Sequence, residues 1–381
     1  MAIVEDQSLV DLLTQLSLAA KPHFEHYAKS QHDFGIKERA EWAAAKPPPQ
    51  LFENVRKSLQ TALENHPVFG VSEGRFFGAK QLMIHPHYAA YNLLQVSLDL
   101  GPAGAVSWLR KIYSTNKADL RYVVEVHGLK VDKQITLSNG VRLVPLAQLP
   151  PSPHANGLIA QYDAFPSIPH ARPMFPPIGA MFEVHDVCAS TNSEESMRKL
   201  GPRSMELERT IRAFALVGEA SPIIGIGWLE FMDSDIAHAE YGQMWMSPIR
   251  ESDVSIGRHP ADVNQEAMDW AERYIELEAN LKRVCDVAIE RLVLARCRYY
   301  PGNKAIEGAI CLEALLGDGG NQELTYRLRL RAALLLAKNL NERREISRAV
   351  SDFYDLRRVR LCTDVQLRST RWRRTHVPNG A

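Results

Sequence analysis

The sequence has no excess of either charge: 45 lysines and arginines face 45 aspartates and glutamates. That balance excludes the whole-protein basic field of a non-specific nucleic-acid binder, although charge can still be spread unevenly along the chain. Paired cysteines are lacking too. Cys188, Cys285, Cys297, Cys311 and Cys362 are odd in number and scattered, with no two at the spacing a zinc or redox site uses, and so read as buried or free thiols of a reducing compartment. No apolar run approaches the length that crosses a bilayer, and the first residues lack the basic, apolar and small-residue order of a signal peptide. A cytoplasmic protein with no membrane partner is therefore expected. There is no Gly-rich nucleotide loop, no nucleophile elbow, no metal-ligand motif and no internal repeat, and neither cofactor nor metal is expected.

What is there divides in two. A chain of 381 residues exceeds the size, about 250 to 300 residues, at which a single core stops growing. The expected fold class is α+β: an N-terminal mixed α/β domain with antiparallel strands over 1–248, an irregular joint at 248–259, an all-α bundle over 260–361 and a basic disordered tail over 362–381.

Along the first domain, the leucines from Ser8 to Ala20 have helical spacing, as does Leu51 to Asn65. The polar patch Ile36 to Lys46 ends at Pro47, Pro48 and Pro49, which read as a spacer. The stretch VFGVSEGRFFG predicts a strand, a turn and a strand, and Tyr91 to Ile112 predicts two short helices or one broken at Gly101-Pro102. Strands are expected at Tyr122–Val126, Gln134–Leu137 and Val141–Leu146, the last two joined by a two-residue Asn139-Gly140 turn. Pro150 to Pro177 reads as a long connection. Met181–Val187 is expected as a strand, Arg203–Val217 as a helix, and Pro222–Phe231 and Glu240–Trp245 as strands. His85 with His87 could ligate a metal only with further ligands, and none is close in sequence. His127 reads as a solvated loop residue; Glu183 and His185 share one face of a strand, with Asp186 on the other, and read as exposed polar strand positions.

The second domain carries its charges in unexpected places. A stripe from Trp270 to Ala295, with neither Pro nor Gly from Val263 to Tyr300, predicts one long amphipathic helix closed by Pro301-Gly302. Three further helices follow between Asn303 and Arg360. On the first, Ile306, Ala309, Ile310 and Leu316 share an apolar face with Glu313 in its middle; on the last, the stripe Ile346, Val350 and Phe353 runs on to Arg357. Burying either charge alone costs several kcal/mol, so Glu313 is expected to meet Arg357 or Arg331. The tail holds Arg368, Arg371, Trp372, Arg373 and Arg374, able to touch RNA phosphates and stack on a base but expected as a frayed end.

The blocks CLEALLGD, LTYRLRLRAALLL and REISRAVSDFYDLR, in this order, closely resemble the C-terminal domain of the ApeA-like HEPN proteins over the last third of the chain. Tyr354, Asp355, Leu356 and Arg357 match the Tyr-Asp-Leu-Arg of the family's last helix. The His-Gly that follows there after four intervening residues is replaced by Cys362-Thr363. The resemblance implies a helical bundle that pairs two-fold as a homodimer and cleaves RNA without a metal, the His shuttling protons and the Arg holding the phosphate, in a defence or toxin-like setting. A guanidinium fork suits phosphate and an imidazole titrates near neutrality. Arg357, Glu313, Tyr354 and Asp355 are then the candidate catalytic residues, with Arg331, Arg358 and Arg360 as candidate RNA contacts. With the His absent, catalysis is expected to be impaired, and a non-catalytic RNA-binding or dimerisation module is the alternative. Leu361 to Asp364 can be encoded TTG TGC ACG GAC, which read two bases later spells Val-His-Gly, so a reading-frame shift just beyond Arg357 is the expected origin of the lost motif.

Overall fold

The computed structural model describes residues 2–29, 49–78, 80–163, 176–218, 220–237, 239–241, 244–246, 260–317 and 323–355. They form two compact units that interleave along the chain. Met1–Tyr122, Glu183–Arg203 and Leu229–Gln243 supply one; Val123–Phe182, Ser204–Trp228 and Met244–Ala381 supply the other. The division expected from sequence is consecutive instead, and its joint at 248–259 lies outside the described residues, as do the patch 36–46 and the tail 362–381.

The first unit opens with α1 (Ala2–Lys29) and α2 (Pro49–Glu64). Leu9, Leu13 and Ala20 of α1 and Phe52, Val55, Leu59 and Leu63 of α2 are buried at helical spacing, and both helices pack on α3 (Pro86–Ser114). α3 is continuous to the eye but broken at Gly101, whose φ of 76° only glycine adopts cheaply, followed by Pro102 with no N–H to give. Between α2 and α3 lie β1 (Glu73–Phe77) and β2 (Lys80–Ile84), paired antiparallel about Gly78. The hairpin is thus placed later than expected: Val68–Gly70 is a turn, held by Gly70 N–H to His66 O, and buries Phe69 instead of extending as a strand.

The strand β3 (Lys117–His127) is followed by β4 (Leu129–Lys130), β5 (Ile135–Thr136) and β6 (Arg142–Pro145). The β5–β6 hairpin forms as expected, but its loop has three residues: Gly140 N–H closes a turn on Leu137 O, and Leu137 N–H reaches Val141 O. Only Gly140, at φ 83°, takes the left-handed conformation, which is a bulged hairpin turn and not the two-residue kind. The stretch read as a bare connection contains α4 (Pro153–Asp163), whose Ala155 and Leu158 pack with Val123, Val144, Met181 and Trp228.

β7 (Ile178–Cys188), α5 (Ser193–Ala213), β8 (Ile223–Phe231) and α6 (Ser234–Ala237) come next. The expected strand Glu240–Trp245 is two strands in two sheets. β9 (Glu240–Tyr241) adds to β2, and β10 (Met244–Met246) pairs antiparallel with β8. The resulting sheets run β1-β2-β9 and β10-β8-β3-β7-β6-β5, and β11 (Ala261–Asp262) lies parallel to β4.

The C-terminal region is helical: α7 (Gln265–Glu276), α8 (Ala279–Cys297), α9 (Pro301–Leu316), α10 (Leu324–Leu336) and α11 (340–355). The single helix expected over α7 and α8 is two, parted where Leu277 and Glu278 are extended. No breaker residue forces this. The bend turns Tyr274, Leu277, Ile289 and Val293 into one apolar cluster, and Lys282 Nζ donates to the freed Ile275 carbonyl at 2.5 Å, so tertiary burial overrides local helix preference. The chain is thus a mixed α+β protein with antiparallel pairing and a helical C-terminal region.

Candidate functional site

α9, α10 and α11 meet around Ala309, Leu328, Ala332, Val350 and Tyr354, with Leu312, Ile346 and Phe353 at the margin. The closest approach is at Gly308, where a Cβ would stand 2.4 Å from Phe353 Cζ, so the ring lies directly on the α9 backbone. One turn on, the buried Tyr354 donates its hydroxyl hydrogen to Glu313 Oε1 at 2.9 Å and lies 3.4 Å from Ala309 O. Glu313 is half-buried, and this phenol is one group that meets its carboxylate on that face. Arg331 donates to Leu316 O, where a cation meets the negative end of α9. Asp355 is exposed. Of the expected site residues, the fold brings Glu313 and Tyr354 together; Arg357, Arg358 and Arg360 lie outside the described residues.

Beside this core, α10 and α11 enclose a groove of about 560 Å³ whose walls include Tyr326, Arg329, Arg343, Arg344 and Arg348, with Asp352 at one end. Arg329 Nε donates to Ser347 Oγ at 3.2 Å, which holds one guanidinium along the groove. Arg343, Arg344 and Arg348 are exposed and form no salt bridge among the described residues. The cleft is thus cationic, with one exposed phenol ring on its wall. The sequence reading passed over it because these arginines fall on the polar face of α11, where charge needs no explanation.

The acid that is deeply buried on α9 is Glu307, which sequence reasoning missed. Its two oxygens each accept at 2.9 Å, one from Arg291 Nη1 on α8 and one from Arg298 Nη2. The available signal was the pair Arg291 and Arg298, two turns apart with one buried carboxylate between them.

The first unit hides a second charge set. Arg121 Nη1 donates to the buried Glu230 at 3.0 Å and its Nε to Glu183 at 3.3 Å. Lys80 is buried beside Glu230; burial pushes its ammonium down to about 8, against the upward pull of that carboxylate. Glu183 is therefore half-buried and paired, while His185 and Asp186 are exposed as expected. His127, expected in solvent, is buried at the end of β3 with Nε2 at 3.1 Å from Glu125 Oε1. Burial pushes the Glu125 carboxyl up, but His127, the Tyr162 hydroxyl at 2.6 Å and the Ile226 N–H at 3.1 Å outweigh it and hold it below its ordinary value. Gly225 is needed beside it, since a Cβ there would stand 2.4 Å from Glu125 Oε2. His85 caps α3 by accepting the His87 N–H, and His87 faces Arg56 at 2.6 Å; burial, then Arg56, hold its imidazole low and neutral. No group of three or more His, Cys, Asp and Glu side chains suited to a metal occurs among the described residues.

No protein-family model, curated protein or solved structure matches this chain. Among the described residues, no helix is long and apolar enough to cross a membrane.

Proposed function

We propose that the C-terminal helices are a HEPN-like module of the ApeA-like kind that holds RNA and works as a homodimer. Arg357 is its phosphate ligand, Arg331, Arg358 and Arg360 are further contacts, and cleavage is impaired because Cys362 stands where the family has its His. The observation that supports this reading most is the cationic groove of α10 and α11, on the same helix that leads into Arg357. The Tyr354–Glu313 bond adds to it by joining the CLEALLGD and FYDLR blocks on which the resemblance rests. The full chain is mixed with heterogeneous RNA in the presence of a chelator, with binding followed against salt. Binding that weakens steeply with salt while the RNA stays intact is expected. Metal-independent cleavage lost on Arg357→Ala would restore the catalytic reading, and no binding at low salt would remove RNA altogether.

A second reading, a dimerisation platform without RNA, is favoured by the exposed leucines Leu330, Leu334, Leu335, Leu336 and Leu340. Light scattering at micromolar concentration with and without RNA separates the two: both predict a dimer, and only the first predicts that its mass rises when RNA is added.

A further inference from the structure

A cavity of about 250 Å³ opens between α7, α8 and α9. Its walls are apolar, formed by Leu277, Ala288, Ile289, Leu292 and Leu315 among others, together with the thiols of Cys285 and Cys311. Tyr274 contributes only its ring, because its hydroxyl is spent on Asp286. At the mouth Trp270 and Arg273 are exposed, the guanidinium lying 5.0 Å from the indole centroid. Of the described residues that line the cavity, Arg273 alone carries a charge.

We propose that this cavity binds an unbranched aliphatic anion of about ten carbons, its chain inside and its head group on Arg273. The assignment is independent of the RNA reading, which concerns α10 and α11. Size sets the chain length: an apolar cavity of about 150 Å³ stays dry and takes a benzene-sized guest, so the present volume suits a guest larger by roughly two thirds. Wall chemistry sets the class, since two weakly bonding thiols are, among the described residues, the only polar side-chain groups facing the interior and water would be poorly held. Charge sets the head group, because a single guanidinium at the rim, braced by an indole, is complementary to a carboxylate or similar oxyanion. Burial raises both thiols above their ordinary pKa, so they stay neutral and leave the interior uncharged.

The cysteines make the test direct. Cys285 and Cys311 line the cavity while Cys188 is exposed elsewhere. The full chain is reacted with N-ethylmaleimide and the rate at each cysteine is followed by peptide mass spectrometry, with decanoate, octanoate or decan-1-ol present below their micellar concentrations. Decanoate is expected to slow Cys285 and Cys311 saturably and leave Cys188 unchanged. Octanoate should need about fifteen times the concentration, since each methylene is worth about fourfold. Arg273→Gln, at an exposed position, should raise the decanoate requirement about fivefold and leave decan-1-ol unaffected. The proposal is overturned if decanoate gives no protection, if Cys188 slows equally, or if protection ignores chain length or Arg273→Gln. Protection that follows protein concentration and not decanoate also overturns it, because a second copy of the chain then covers the opening.

Discussion

The Tyr354 hydroxyl donates to Glu313 Oε1 at 2.9 Å across 41 positions of sequence, locking the start of the α9 C-terminal turn to the end of α11. Six residues earlier on the same helix, Glu307 is gripped by Arg291 and Arg298. The two acids of α9 therefore differ in setting: Glu313 is half-buried and accepts from a phenol, whereas Glu307 is buried and accepts from two guanidinium groups. Their consequences for stability differ accordingly.

For the first pair, Tyr354→Phe removes one hydrogen bond to a half-buried carboxylate and should cost about 1 to 2 kcal/mol in urea unfolding. Glu313→Ala removes the acceptor of the same bond and should cost at least as much. A double-mutant cycle should return a coupling of about 1 kcal/mol. Strictly additive losses would show that the contact contributes nothing.

Glu307→Ala is the severe change. It removes the carboxylate shared by Arg298, nearly buried, and Arg291, about one third exposed, and should cost on the order of 3 to 5 kcal/mol, while Glu307→Gln, which keeps one acceptor oxygen in place, costs less. A loss under about 1 kcal/mol, measured by the shift in the urea midpoint at constant m, would mean that water already reaches both guanidinium groups.

How much of this was legible in the sequence depends on what held each element. Periodic apolar residues such as Leu9, Leu13, Leu59 and Leu63 announce α1 and α2, and Asn139-Gly140 announces its hairpin, because there local chemistry and tertiary packing agree. The break at Leu277-Glu278 was invisible, since no local preference makes it and only the cluster around Tyr274 and Ile289 does. His127 was misplaced for a related reason: a lone histidine beside glycine carries no sign of Glu125, which shares its strand face two residues earlier, or of Tyr162, supplied by a helix read as loop. At the candidate site the spacing placed Glu313 near α11; Arg357, one cation expected beside it, lies outside the described residues, and the phenol of Tyr354 that meets it was not foreseen. A phenol leaves no charge signature for sequence reasoning to match.

Lys80 makes stability depend on alkaline pH. Its folded-state pKa, pushed down to about 8 by burial, lies below the ordinary 10.5. Below pH 8 the ammonium is charged in both states and the full burial cost is present; between pH 8 and 10.5 the unfolded chain holds a proton that the folded chain has released, so stability rises with pH. Lys80→Met should abolish this rise, so that the wild type gains about 2 to 3 kcal/mol relative to the variant between pH 7 and pH 10. Tyrosines such as Tyr113, pushed up to about 12 by burial, act oppositely at the top of the range but are common to both proteins and cancel in the difference. Parallel curves for the two proteins would place Lys80 in contact with water.

The groove of α10 and α11 gives the most direct test of the RNA reading, because its arginines are exposed and can be removed without disturbing the core. Arg344 and Arg348 are one turn apart on α11, so both reach the same strand of a ligand, with Arg343 beside them and Tyr326 across the cleft. Each guanidinium that neutralises a phosphate releases counterion, so each of Arg344→Ala and Arg348→Ala should lower the slope of log affinity against log salt by about 0.7 and weaken single-stranded RNA alike whatever its sequence. Tyr326→Ala should act differently, reducing affinity by about 1 to 3 kcal/mol for the lost stacking while leaving the slope unchanged. Circular dichroism and unfolding midpoints should stay as in the parent for all three, since none of these side chains is buried. If the arginine variants bind RNA with the parent's slope, the phosphates lie elsewhere and the groove has no part in holding RNA.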